Sequence, residues 1–368
     1  MIKIGVIGLG KVGISHLATI NTHPRAKLVA VADTASYVLG VLNKYTGIKT
    51  YSDYRVLLDK EPLDAVIIAT PSLFHNEMVR AALDKNLHVF CEKPLCLDCA
   101  HSLELAELAN RKGVVNQVGY HCRFIGTFKE AKRLIDSKAL GRVHHISAEA
   151  YGPVVLRPEG ATWRASSSQG GGCLYDYACH AIDIINYFVG PPESVAGTVL
   201  NKIFSRNVED EVYSTLYFAD GITGQIASNW SDESFRKMFV QVTVWGTAGR
   251  ITVDRQEIKS FLRPAARQTP PTKEGWGVRY ITDLPIDVWY YLRGEEYSEE
   301  IDHFIRCIEE GRTDNASSFS SAAQTDVAVS MMTQNAAKRG ADQVSRVSRN
   351  IASKPAITKR FLSMIKPR

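Results

Sequence analysis

KIGVIGLGKVG, from Lys3 to Gly13, is the stretch on which the fold turns. Its apolar first half, KIGVIG, reads as a strand, and the residues from Lys11 to Thr22 read as a helix. Between them Gly8, Gly10 and Gly13 form a G-x-G-x-x-G turn that takes in Lys11 and Val12. A glycine turn alone says little. Here the following strand, KLVAVAD, ends in an acid, Asp33, twenty positions beyond Gly13. That spacing gives each residue a physical task. Gly8 makes the tight turn, Gly10 lets the backbone approach a pyrophosphate, and Gly13 lets helix and strand pack closely. The helix N-terminus attracts the phosphates, and Asp33 accepts hydrogen bonds from ribose hydroxyls. Asp33 repels a 2′-phosphate, and Thr34 to Tyr37 bring no arginine to hold one. The reading is NAD rather than NADP.

Outward from the turn, strand and helix signals alternate. TYSDYRVLLD carries a short helix, LDAVIIAT a strand, HNEMVRAALDKN a helix and HVFCEK a strand. A helix from Asp98 to Lys112 then leads to VVNQVGY. Apolar strands each followed by a helix specify a parallel, doubly wound α/β sheet of Rossmann type over residues 1–122. After Arg123 the pattern changes. A helix from Thr127 to Ser137, the strand HHISAEAY and a helix over 173–188 precede SVAGTVL, EVYSTLYFAD, ITGQIASNW, FVQVTVWG and RITVD. Turns at Asp220-Gly221 and Ala248-Gly249 suggest an antiparallel meander in an α+β domain over 123–337. Phe261 to Pro285 reads as a Pro- and Gly-rich loop. The helix after it presents Ile301, Phe304, Ile305 and Ile308 on one face.

The net charge of +5 is misleading as an average. Residues 338–368 hold nine Lys or Arg against one acid, leaving 35 basic and 38 acidic residues in a mildly acidic body. The basic tail reads as a solvated terminus, with membrane-surface contact the less favoured alternative. Its single aromatic, Phe361, offers no stacking platform, so nucleic-acid binding is set aside. No apolar run is long enough to span a bilayer, and the chain enters its first strand without a leader pattern, so a cytoplasmic protein is expected. Seven cysteines are scattered without disulfide density. Cys96-Leu-Asp-Cys99 has no second pair to complete a zinc site, so no metal is expected.

Two further motifs carry chemistry. HVFCEKP places Glu92, Lys93 and Pro94 at the carboxyl end of a sheet strand, where ligands of open α/β sheets bind. GGGCLYDYACHAIDIINYFVG (Gly170 to Gly190) holds Asp176 and His180 four apart, on one face of the expected helix. An intrahelical salt bridge explains such a pair equally well by itself. The nucleotide turn and CEKP in the same chain favour an active site. An imidazole is suited to removing a hydroxyl proton near neutral pH, and an ammonium stabilises the alkoxide that develops. A metal reading of Asp-x-x-x-His lacks a third ligand.

The glycine turn, ATPSLFH (Ala69 to His75), CEKP (Cys91 to Pro94) and GGGCLYDYACHAID (Gly170 to Asp183) occur together and in order. That combination resembles the glucose–fructose oxidoreductase/inositol dehydrogenase/rhizopine-catabolism (Gfo/Idh/MocA) family, from Met1 to about residue 330. The resemblance implies a Rossmann domain followed by an α+β domain on an open, mainly antiparallel sheet, through which dimers or tetramers form. It implies NAD(P)-dependent redox chemistry on a hydroxyl-bearing carbon of a sugar, cyclitol or sugar nucleotide. Lys93, Asp176 and His180 would form the catalytic group, and Thr70, Pro71, His75 and Glu92 would lie beside the cofactor. Arg123, Trp163 and Arg164 match positions that contact substrate or cofactor. Two other readings stand beside this one: a hydrolase or epimerase that uses bound NAD transiently, and a non-catalytic sugar or nucleotide sensor. Loop residues 152–169, 120–124 and 261–297 are expected to set specificity.

Overall fold

In the computed structural model, residues 1–154, 163–264 and 274–352 are described, excepting the side chains of residues 163 and 340–352. The first six strands are β1 (Ile2–Ile7), β2 (Ala26–Ala32), β3 (Lys49–Tyr51), β4 (Ala65–Ile68), β5 (His88–Cys91) and β6 (Asn116–Val118). They pair in parallel in the order β3-β2-β1-β4-β5-β6. The crossovers carry α1 (Lys11–Thr22), α2 (Ser36–Thr46), α3 (Tyr54–Lys60), α4 (His75–Asp84) and α5 (Cys99–Lys112). Every residue of β4 is buried, as helices on both faces require. Strand order reverses between β1 and β4, and that switch point opens a crevice at the strands' carboxyl ends.

The second sheet takes β7 (Val143–Tyr151), β8 (Ser194–Asn201), β9 (Glu211–Tyr217), β10 (Thr223–Asn229), β11 (Phe239–Gly246), β12 (Gly249–Val253), β13 (Glu257–Leu262) and β14 (Gly275–Tyr280). Their order is β14-β13-β12-β11-β7-β10-β9-β8, with β7 and β10 parallel and the remaining pairs antiparallel. A plain meander was expected. Instead β7, early in the sequence, is inserted between β11 and β10. Ile146, Ala148 and Ala150 of β7 pack with Val242 and Val244 of β11 against Phe128 of α6 (Gly126–Asp136) and Ile182 and Ile185 of α7 (Cys179–Val189). The opposite face leaves Tyr213, Tyr217, Phe261, Trp276, Val278 and Tyr280 exposed.

Two late helices return to the first domain. Ile301, Phe304 and Ile305 of α8 (Glu295–Glu310) pack with Ile4, Val6, Ile20 and Phe90. Phe319 and Ala322 of α9 (Phe319–Ala352) join Cys91, Leu95 and Leu105, while Ala328, Val329 and Met332 join the second core. α9 is thus shared by both cores and ties the two sheets together.

Three readings need correction. The loop expected over 261–285 contains the end of β13 and all of β14, which pair from Glu257–Tyr280 to Leu262–Gly275. Gly275 and Gly277 had obscured the alternation of Trp276, Val278 and Tyr280. The 173–188 helix begins as a π turn, Leu174–Ala178, before α7. The boundary drawn at 338 falls inside α9, which continues to Ala352; the rest of the basic tail lies outside the described residues. Among the described residues no helix is long and apolar enough to cross a membrane.

Candidate active site

The glycine turn behaves as its spacing demands. Gly8 has φ +93°, and a Cβ there would lie 2.6 Å from the Ala69 carbonyl oxygen. A Cβ on Gly13 would lie 1.9 Å from the Gly8 oxygen, so strand and helix meet with no room for a side chain. At Gly10 nothing approaches within 4 Å. Two glycines are closed by the fold and the third faces open space, as a bound pyrophosphate requires. Lys11 and Val12 begin α1, whose first N–H groups lack intrahelical acceptors. Asp33 accepts from the backbone N–H of Leu9 in the turn and of Ala35, at 2.7 Å for Ala35. Its carboxylate is thereby fixed at the end of β2. These residues fit NAD.

Thr70 and Pro71 follow β4, and the Thr70 methyl lies 2.9 Å from the position of a Gly8 Cβ. His75 is buried with its ring nitrogens 2.8 Å from the Pro94 carbonyl and 3.0 Å from the Thr70 carbonyl. It therefore ties the β4 loop to the loop bearing Lys93. Burial pushes its imidazole below the usual range, against the two carbonyls.

Lys93 meets the second domain at Asp176. Its Nζ donates to the Asp176 carboxylate at 3.1 Å and to the Asp176 carbonyl at 3.0 Å. Arg164 reaches the other carboxylate oxygen at 2.9 Å. Burial opposes the charge on Asp176, but Lys93 and Arg164 outweigh it and hold the carboxyl below its ordinary value. Burial likewise opposes the ammonium, yet the Asp176 carboxylate keeps Lys93 above its ordinary value. The π turn carries Asp176 toward this pairing; such turns recur at functional sites.

His180, in the first turn of α7, is buried, and its Nδ1 has no hydrogen-bond partner among the described residues. Its ring packs edge-on to Tyr120 and to His121, the latter at a centroid distance of 4.9 Å. Burial, the Lys93 ammonium and His121 push its imidazole well below the usual range, so it is neutral at pH 7. The two Asp176 carboxylate oxygens are directed to the cations Lys93 and Arg164 rather than to His180.

Arg123 departs from expectation. It is buried, and Nε and Nη2 grip Asp183 at 2.8 and 2.6 Å. Nη1 donates to the Ala316 carbonyl and the Ser321 hydroxyl. Each guanidinium nitrogen already has an acceptor, because a buried charge must be paired, so the residue braces α7 rather than facing a ligand. The side chain of Trp163 lies outside the described residues. Cys99 opens α5 and Cys96 lies in the loop before it, both as free thiols.

Several residues near the site were not singled out from the sequence. His16 bonds Glu92 at 2.7 Å. His121 stacks on Tyr297 at 4.8 Å, and one ligand atom each of His121, Cys122 and His180 lie within 4.8 Å of one another. Glu300 stands beside His16 and Glu92. Of these, His121 and Cys122 directly precede Arg123, the neighbouring position that the resemblance had picked out.

Comparison with known proteins places this geometry in context. Residues 2–120 match the model of an oxidoreductase family with an NAD-binding Rossmann fold, and residues 128–252 match a GFO/IDH/MocA C-terminal domain. The chain is 29% identical over 320 residues to scyllo-inositol 2-dehydrogenase (NAD(+)) of Bacillus subtilis (strain 168), covering 85% of this chain and 87% of the relative. It is 28% identical to 2,7-anhydro-N-acetylneuraminate hydratase of Escherichia coli (strain K12), covering 72% and 70%. Levoglucosan dehydrogenase in complex with NADH and levoglucosan superposes with a TM-score of 0.79 at 25% identity, over 92% of this chain and 97% of that one.

Proposed function

This chain belongs to the GFO/IDH/MocA oxidoreductase family, and from that premise we propose that it oxidises or reduces a hydroxyl-bearing carbon of a sugar, cyclitol or sugar nucleotide. It is an NAD-dependent dehydrogenase acting on CH–OH groups. The observation that carries the finer reading is the meeting of Lys93 from the Rossmann domain with Asp176 in the second, one helical turn before a neutral, partly unsatisfied His180.

Bound NAD supplies the hydride acceptor or donor. Gly8, Gly10, Gly13 and the first turn of α1 would hold the pyrophosphate, and Asp33 would hold the adenosine ribose. Thr70, Pro71 and Glu92 would lie at the nicotinamide end. Neutral His180 takes the hydroxyl proton in the oxidative direction and returns it in the reductive one. Lys93 donates to the same oxygen and stabilises its negative charge where little water reaches. Asp176 acts through Lys93, keeping it protonated and aimed. Arg164, at the edge of the site, shares Asp176 and reaches toward substrate hydroxyls.

A screen of NAD+ reduction over inositols, anhydrosugars, free sugars and sugar nucleotides tests the reading. NADH formation with at least one class is the expected result; no NADH with any class would count against it. The hydratase relative motivates a second reading, in which bound NAD oxidises the substrate transiently. Turnover without net NADH, by protein that retains its cofactor on purification, would favour that reading.

The open face of the second sheet, with Trp276, Val278 and Tyr280 exposed on edge strand β14, is the surface through which homodimers or tetramers would form. The seven free thiols fit a reducing compartment such as the cytoplasm.

A further inference from the structure

Behind the loop that bears Lys93 lies a set of titratable side chains that the proposed chemistry does not use. Glu300 on α8 is fully buried, and neither of its carboxyl oxygens has a hydrogen-bond partner among the described residues. It lies within 4.8 Å of both the His16 imidazole and the Glu92 carboxylate, measured between single ligand atoms. Glu92 and His16 are joined at 2.7 Å. Gly119 provides the room, since a Cβ there would stand 3.0 Å from a Glu92 carboxylate oxygen. Two carboxyl groups this close and shielded from water do not ionise independently, and one retains a proton.

The charged surroundings decide which one. His16 faces Glu92 from α1, Lys93 is its chain neighbour, and His121 approaches from the turn after β6. Burial disfavours the charge on Glu92, but His16, Lys93 and His121 together hold its carboxyl below the usual range. Around Glu300 stand Glu92, Glu296 on the same helix, and Arg293 just before it. Arg255 from the β12–β13 turn is bound to Glu296, and the Tyr297 ring packs between Arg293 and His121. Burial raises the Glu300 carboxyl well above its usual range, with Glu92 and Glu296 adding to this and Arg293 opposing it. The proton therefore rests on Glu300.

Resting on the reading in which Glu92 stands beside the nicotinamide, we propose that Glu92 and Glu300 form a proton store whose occupancy follows the charge of the cofactor ring. The pair releases its proton when the cationic, oxidised ring is bound and keeps it beside the neutral, reduced ring. The balance closes without a further reactant. Oxidation of the alcohol moves a hydride, with both electrons of the C–H bond, to the ring and leaves one proton from the hydroxyl. The ring loses its positive charge, and the proton first accepted by His180 passes to the store, which leaves His180 neutral again. That proton is released when the reduced cofactor is exchanged for the oxidised one.

Equilibrium binding of NAD+ and NADH to the full chain between about pH 6 and pH 9 tests this, with Kd read by calorimetry and by tryptophan quenching. In the wild type, Kd for NAD+ falls as pH rises, by up to about tenfold per pH unit where one proton is displaced, while Kd for NADH does not. Glu300→Gln carries an uncharged side chain at every pH and flattens the NAD+ curve. Wild-type calorimetry in buffers of different ionisation enthalpy gives an independent reading, with proton release on binding NAD+ and none on binding NADH. Superposed wild-type curves for the two cofactors, or a Glu300→Gln protein with the wild-type slope, would overturn the proposal alone. A wild-type protein that binds neither cofactor at any pH would overturn it together with the functional reading beneath it.

Discussion

Asp326 on α9 lies under the loop that follows Lys93. Its carboxylate accepts from the Ser102 hydroxyl at 2.7 Å and from the Cys96 backbone N–H at 3.3 Å. Burial pushes its carboxyl up to about 7; Asp183 adds to the rise, and donors at Ser102, Cys96 and Leu95 only partly offset it. In the unfolded chain an aspartate titrates near about 3.9. Because the folded value is the higher one, this group's contribution to stability is full below about pH 4, declines as pH rises, and is lost once pH passes the folded value. A separation of about three pH units, at about 1.4 kcal/mol each, amounts to about 4 kcal/mol. Asp326→Asn is neutral throughout. Its stability relative to the wild type should therefore rise by about 2.5 kcal/mol between about pH 5 and pH 8, over any constant offset the amide introduces. Urea unfolding at several pH values in that range, followed by tryptophan fluorescence, measures the difference. A difference that does not change with pH would refute the assignment of a buried, protonatable carboxyl here.

Gly10→Ala should leave the unfolding transition near the wild-type value, because its Cβ meets nothing within 4 Å, and should weaken NAD binding by about tenfold or more, or about 1.4 kcal/mol, in a fluorescence titration. Gly13→Ala, whose Cβ would lie 1.9 Å from the Gly8 oxygen, should lower stability itself by about 1–3 kcal/mol. Arg123→Ala leaves Asp183 buried without its bidentate partner and should cost about 3–5 kcal/mol in chemical denaturation. Trp276→Lys should shift any oligomer toward smaller species in light scattering and leave NAD affinity unchanged.

What the sequence disclosed follows the range of the interactions involved. The turn at Gly8, Gly10 and Gly13 and the acid at Asp33 are local, and their spacing carried them. α1 runs from Lys11 to Thr22, as its pattern indicated. The pairing of Lys93 with Asp176 spans 83 positions and followed from motif combination rather than from any local signal. Arg123 was misjudged because its partner, Asp183, lies 60 positions away and is fully buried. His16 and Glu300 belong to helices whose periodicity marks them only as face residues; their meeting with Glu92 depends on α8 crossing back over the first sheet. Edge strand β14 was hidden because Gly275 and Gly277 interrupt its apolar alternation. The insertion of β7 between β10 and β11 is a topological choice that strand patterns alone do not encode.

In the proposed chemistry the Lys93 ammonium and the His180 imidazole act together on one substrate oxygen. Single-turnover NADH formation by Lys93→Met, with NAD affinity measured on the same preparation, tests it most directly. The expected result is NAD binding within about threefold of the wild type and hydride transfer slowed by at least about a hundredfold, the usual cost of losing one such donor. Hydride transfer at the wild-type rate by a Lys93→Met protein that binds NAD normally would contradict it.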